Sequence, residues 1–238
     1  MLLENANFYN HDDLLAPLFL VLVCIFIPYA AFRSYLRFKK HKVIGPKQQF
    51  QVRSMVWMIS ICFLAVVVAD RQQINLLGDG VPSAGIVLVG LVELAVLLFH
   101  VRASLPKSSN EHTSLLRLLL PEVKSEMRFW IYISVIAGLC EAVTYRSVAY
   151  TLVLRLTGSP GLSLALTSAA FAAAHALYGL RTALFIFLLG VFFQLSVVIT
   201  GSLYLAIAIH IGYDLGFGII ALRFFQREVA AEPLPSAL

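Results

Sequence analysis

Seven side chains stand out because they are ionisable and lie in or at the ends of apolar runs. Of thirteen Asp and Glu residues, only Glu93, Glu141 and Asp214 lie within such runs. Of eighteen Lys and Arg residues, only Arg146 lies deep within one. His175 and His210 are likewise inside, and His100 sits at a run's end. A carboxyl group beside an imidazole can exchange protons near neutral pH, where general acid–base catalysis works best. Glu141 could take a proton from water while His175 orients that water. A carbonyl under attack develops negative charge and needs a donor about 2.7–3.1 Å away. His210 can donate through either ring nitrogen. Asp214 either donates, which requires its protonated form, or orients His210.

Spacing decides which of these groups can meet. His210 and Asp214 are i and i+4, so they share a helix face. Phe171 and His175 have the same relation, and so do Glu141 and Tyr145. Arg146 is i+5 from Glu141, about 140° around an α-helix. An α-helical reading therefore turns Arg146 away from the Glu141 pocket and leaves Glu93 as its candidate partner. A lone buried histidine is most often a helix–helix hydrogen-bond partner, which suffices for His100. Four costly groups on three helices are harder to explain by packing, because intramembrane ionisable residues cost at least about 2.5–3.5 kcal/mol each.

The elements that must position these groups follow from composition. The chain has 238 residues, 60% hydrophobic and 13% charged, with mean hydropathy +0.85. Soluble domains are about 45–50% apolar and about 25% charged. A water-soluble enzyme, a disulfide scaffold and a disordered regulator are excluded. Seven apolar spans can be drawn, at 14–33, 54–70, 83–101, 128–155, 161–179, 181–200 and 202–222. No alternation of period two suggests a barrel, so the spans are helices. The expected fold is an all-α, polytopic transmembrane helix bundle of seven or eight membrane helices, the eighth being a re-entrant element. The fourth span, about 42 Å long as an α-helix, must tilt, project or contain a break.

The net charge of +5 does not point to nucleic acid, because the basic residues sit between the spans. With the N-terminus outside, fifteen Lys and Arg fall in cytoplasmic segments and two outside, which places the C-terminus in the cytoplasm. The acidic start (Glu4, Asp12, Asp13) is unlike a cleavable signal peptide. Cys24, Cys62 and Cys140 form no CxxC, so neither a disulfide framework nor a zinc knuckle is indicated. The expected organisation is one membrane domain over 1–238. It divides into N-terminal helices and an interfacial segment (1–127), a functional core (128–222) and a tail (223–238). Within these, 113–123 reads as an interfacial helix and 229–238 as disordered. Measured along the helices from their cytoplasmic ends, Glu141 lies at about 20 Å, His210 about 18 Å, Asp214 about 12 Å and His175 about 6 Å. His175 is the outlier.

The segments EAVTYR (Glu141–Arg146), FAAAH (Phe171–His175) and HIGYD (His210–Asp214) resemble three motifs of the CPBP family, also called ABI. The family comprises CAAX proteases and bacteriocin-processing or immunity proteins. Its pattern is EExxxR, FxxxH and HxxxN or HxxxD on successive membrane helices. The resemblance covers about 135–220 and implies a glutamic-type intramembrane protease of the cell membrane. It implies that Glu141 with His175 activates water, and that His210 and Asp214 hold the scissile carbonyl. Arg146, Tyr145 and Phe171 would support them. The second glutamate of the pattern is Ala142 here, and Ser147 stands where glycine is usual.

The implied partners are a membrane-embedded or lipidated protein or peptide substrate and the bilayer, with no nucleic acid and no cofactor. Three other readings remain open on the residues alone. Glu141, His175, His210 and Asp214 would also suit zinc as a ligand set, although HExxH spacing is absent. The same groups could serve a proton-coupled transporter, for which the cluster Gly212, Gly216 and Gly218 is the only helix-breaking hint. Ala142 would suit an inactive relative acting as a scaffold or immunity factor.

Overall fold

A computed structural model describes residues 13–41, 46–105, 116–117 and 119–231. Among these the chain is helical, with one isolated antiparallel bridge, Gly78 to Ser202. We label the principal helices α1 (Leu15–Lys40), α2 (Lys47–Arg71), α3 (Ala84–Ser104) and α4 (Lys124–Thr157). They are followed by α5 (Pro160–Ala174), α6 (Leu180–Thr200) and α7 (Tyr204–Ala231). All but α5 are long and apolar enough to cross a bilayer. The protein is a multi-pass integral membrane protein.

The fifth predicted span is corrected by the structure. Its helix has 15 residues, about 22 Å, against a hydrocarbon core of about 30 Å. Its start is sharply defined. Gly158 closes α4 in the left-handed conformation with φ 64°, and Ser159 accepts from the Leu162 N–H as N-cap with Pro160 following. Those are the residues that favour a helix end and a helix start back to back. Its end falls at His175, where the backbone leaves the helix at φ −98°, ψ 14°. A 3₁₀ turn, Ala176–Tyr178, and Gly179 at φ 89° lead into α6.

The fourth span is unbroken but changes its winding. It is α-helical over Met127–Glu141, π-helical over Ala142–Ala149 and α-helical again over Tyr150–Thr157. A second π turn interrupts α1 at Leu22–Phe26. These stretches replace i→i+4 with i→i+5 ladders, a device found often at functional sites.

Packing places α4 and α7 at the centre. α7 lies against α3, α4 and α6; α2 lies against α4; α5 lies against α1, α4 and α6. Gly212 and Gly216, the suggested hint of a broken helix, are packing slots instead. A side chain at either would meet Leu94 or Leu98 of α3, as close helix–helix contact in membranes requires. Gly218 has a sharper role. It faces the Trp130 indole, whose Nε1 donates to the Asp214 carbonyl at 2.8 Å. A side chain four residues after Asp214 would cover that carbonyl.

Each end of the bundle is tied separately. At one end Gln72 donates to Asp13 (3.2 Å), and Arg155 donates to the Gln72 carbonyl (2.7 Å). The turn before α7 joins the same end through Leu203 N–H to the Leu77 carbonyl, 2.9 Å. At the other end Lys47 pairs with Glu126 at 2.7 Å. Arg117 there bridges Glu122 at 2.9 Å and Glu228 at 2.7 Å. The expected interfacial helix at 113–123 lies partly outside the described residues. Within it, Leu116, Leu119 and Leu120 are buried. Of the tail expected to be disordered, residues 229–231 continue α7 and the remainder lies outside the described residues.

Candidate functional site

The segment FAAAH explains its own geometry. Because the helix ends, the His175 N–H donates to Ala172 rather than to Phe171. The Phe171 carbonyl is thereby freed and meets His175 Nδ1 at 2.8 Å. A carbonyl can only accept, so Nδ1 carries the proton, and in the neutral ring Nε2 is the acceptor. A spacing of four from Phe171 to His175 is what this closure needs. The helix end also brings His175 to Glu141 despite the depth expected from a full span. His175 terminates a short helix and lies beside Glu141.

His175 Nε2 lies 3.8 Å from Glu141 Oε1. His210 Nε2 lies 3.6 Å from Glu141 Oε2 and 3.6 Å from Asp214 Oδ2. Helices α4 and α7 and the end of α5 thus deliver all four expected groups to one point. These contacts are longer than direct hydrogen bonds, and separations above about 3.5 Å suit a bridging water. His210 meets both carboxyl groups through the same nitrogen, while its Nδ1 is buried without a hydrogen-bond partner. Asp214 therefore does not hold His210 by the opposite ring nitrogen, as a classical orienting carboxylate would. The His175 and Asp214 side chains retain 23% and 20% exposure, so the cluster is not sealed. Among the described residues no three His, Cys, Asp or Glu side chains form a group suited to a metal ion.

Arg146 overturns the expectation that it faces away. Glu141 caps the start of the π segment, and an i→i+5 ladder brings residues five apart into register. The Arg146 guanidinium carbon lies 4.6 Å from the centroid of the Phe171 ring and 4.8 Å from that of Phe193. Phe171 is edge-on to His175 at 4.7 Å, and Phe193 stacks on His210 at 5.1 Å. The arginine thus stands behind the two imidazoles with one ring between it and each. The expected pair with Glu93 does not form. Arg146 Nε, Nη1 and Nη2 and Glu93 Oε1 are buried without hydrogen-bond partners.

Tyr145 packs edge-on to Phe171 at 5.4 Å. Its hydroxyl donates to the Val23 carbonyl in the π turn of α1 at 3.5 Å, so it braces α4 against α1. His100 stacks on Phe185 at 5.0 Å and contacts Ser104, as a packing histidine would. The cysteines are free thiols.

Two residues of the site escaped the sequence reading. Phe193 carries no motif and is one of several phenylalanines in a mostly apolar helix. Gln194, which donates to the Arg146 carbonyl at 3.3 Å, was visible as an amide in mid-span.

The fold and cluster define a multi-pass helical membrane protein whose carboxyl and imidazole groups converge inside the bundle. Residues 124–216 match the family model described as Rce1-like, type II CAAX prenyl endopeptidase. That segment holds Glu141, Arg146, His175, His210 and Asp214, and covers less than half of the chain. The match suggests an intramembrane protease of the CAAX type. No curated protein and no solved structure matches the chain.

Proposed function

We propose that the chain is a glutamic-type intramembrane endopeptidase. It hydrolyses a peptide bond in a membrane-associated or lipid-anchored protein or peptide, prenylated CAAX tails being the class the family's name suggests. One observation carries this reading: His175 and His210 present Nε2 to the two oxygens of one carboxyl group, Glu141, at 3.8 and 3.6 Å. A water between Glu141 and His175 can donate one hydrogen to the carboxylate and the other to the His175 acceptor nitrogen. Glu141 removes the proton as the oxygen attacks the scissile carbonyl, and later returns it to the leaving amine. His210, and Asp214 when protonated, donate to the oxyanion. Phe171 and Phe193 fix the ring planes.

Purified protein in liposomes, given a prenylated peptide ending in a CAAX sequence, tests the reading. Cleavage is expected from the parent chain and is expected to be lost in Glu141→Gln and His175→Ala. Cleavage at the parent rate by either variant would overturn the assignment.

A further inference from the structure

The last two turns of α1 carry charge that nothing in the fold answers. Arg33, Arg37, Lys39 and Lys40 are all exposed. On a wheel at 100° per residue Arg33, Arg37 and Lys40 fall within about 60° of one another, and Lys39 adds a fourth charge further round. The opposite face is the packed one. Phe38 there is 5% exposed and clusters with Leu119 and Leu177, with Tyr35 and Phe50 against them. This end of α1 also lies against the turn Ala176–Tyr178 that follows His175. The nearby carboxylates are already held. Lys47 pairs with Glu122 and Glu126, and Arg117 pairs with Glu122 and Glu228. Among the described residues no carboxylate pairs with Arg33, Arg37, Lys39 or Lys40.

We propose that this stripe of α1 binds the headgroups of acidic phospholipids. Three observations favour that occupant. α1 has 26 residues, about 39 Å, against a hydrocarbon core of about 30 Å. Counted from Leu15, Arg33 lies at about 27 Å, so the turn that begins there emerges at the level of the headgroups. Tyr29, Phe32 and Leu36 remain 55%, 49% and 45% exposed along one flank of the stripe, as suits a helix edge that meets acyl chains. An acidic peptide would find half of that edge unsuited to it. Finally, a phosphodiester offers paired oxygens to each guanidinium fork, and a lysine supplies a point charge. The stripe stands apart from the Glu141 cluster and does not depend on Glu141 being catalytic.

The test uses the full chain in detergent micelles. Thermal unfolding is followed as dioctanoyl phosphatidylglycerol or dioctanoyl phosphatidylcholine is added at fixed ionic strength. Phosphatidylglycerol is expected to raise the unfolding temperature in a saturable way, with little response to phosphatidylcholine. The apparent affinity should fall about fivefold for each charge removed, hence about 100-fold in the triple variant Arg33→Gln, Arg37→Gln, Lys40→Gln. Arg223→Gln with Arg227→Gln removes two exposed charges from the end of α7 and should change it less than about twofold. An equal response to both lipids overturns the proposal. So does an unchanged affinity in the triple variant, or an equal loss per charge in the α7 variant. If the triple variant fails to fold, Arg37→Gln alone decides. Glycerol 3-phosphate and hexaglutamate separate the other sources. A shift reproduced by either assigns the stripe to a free phosphate or an acidic peptide and overturns the lipid assignment.

Discussion

Helices α1–α3 and helices α4 and α7 are built from similarly apolar sequence but are spent differently. The most apolar windows of α1, α2 and α3 are each 17% buried within the protein, whereas those of α4 and α7 are 39% buried. The first three helices mostly face outward and carry one orphaned acid, Glu93. The other two are enclosed and deliver Glu141, Arg146, His210 and Asp214. Protein neighbours, rather than hydropathy, separate a wall from a working core. Glu141 and Asp214 lie beside imidazoles, whereas Glu93 Oε1 is buried without a hydrogen-bond partner.

That contrast can be broken most severely at Glu141. Glu141→Gln keeps the shape and removes the base that the proposed mechanism needs, so the turnover rate should fall by about 10³-fold or more. The melting temperature should stay near that of the parent, and a loss of both would mean the residue is structural. Next in size is Gly218→Leu, which forces a side chain into the Trp130 indole. Overpacking of this kind costs about 1–3 kcal/mol, read as a lower melting temperature in detergent. Trp130→Phe is gentler. It deletes the bond to the Asp214 carbonyl and should cost about 1 kcal/mol, with a smaller shift in melting. The smallest effect is expected at Glu93→Gln in the outer wall, where the cleavage rate should change less than about twofold, within the range of substitutions away from special features. A rate collapse there would erase the distinction between wall and core.

Helix type and the four groups that the fold brings together were legible, because intramembrane charge is so costly that its few bearers identify themselves. The winding of α4 was not. A wheel drawn at 100° per residue placed Arg146 about 140° from Glu141, and the π segment narrows that angle. Nothing in AVTYRSVA announces the change, since π winding arises from what the flanking helices demand. The length of α5 was half legible. Gly158, Ser159 and Pro160 mark its start, but its end at His175 lies inside an uninterrupted apolar run, AAFAAAHALY. Hydropathy reports where apolar residues are, not where the backbone stops winding. Phe193 was invisible because an aromatic partner looks like any other lipid-compatible residue.

The shortness of α5 has a consequence for hydration. A helix of about 22 Å leaves several ångströms of the hydrocarbon depth to residues 175–179, whose backbone is not α-helical. Peptide groups at that depth persist only where protein or water satisfies them. Residues 175–179 thus need polar neighbours or water beside Glu141, which is where the proposed hydrolysis would draw its water. Continuing α5 as an α-helix past His175 would close that gap and would also take the Phe171 carbonyl away from the His175 ring.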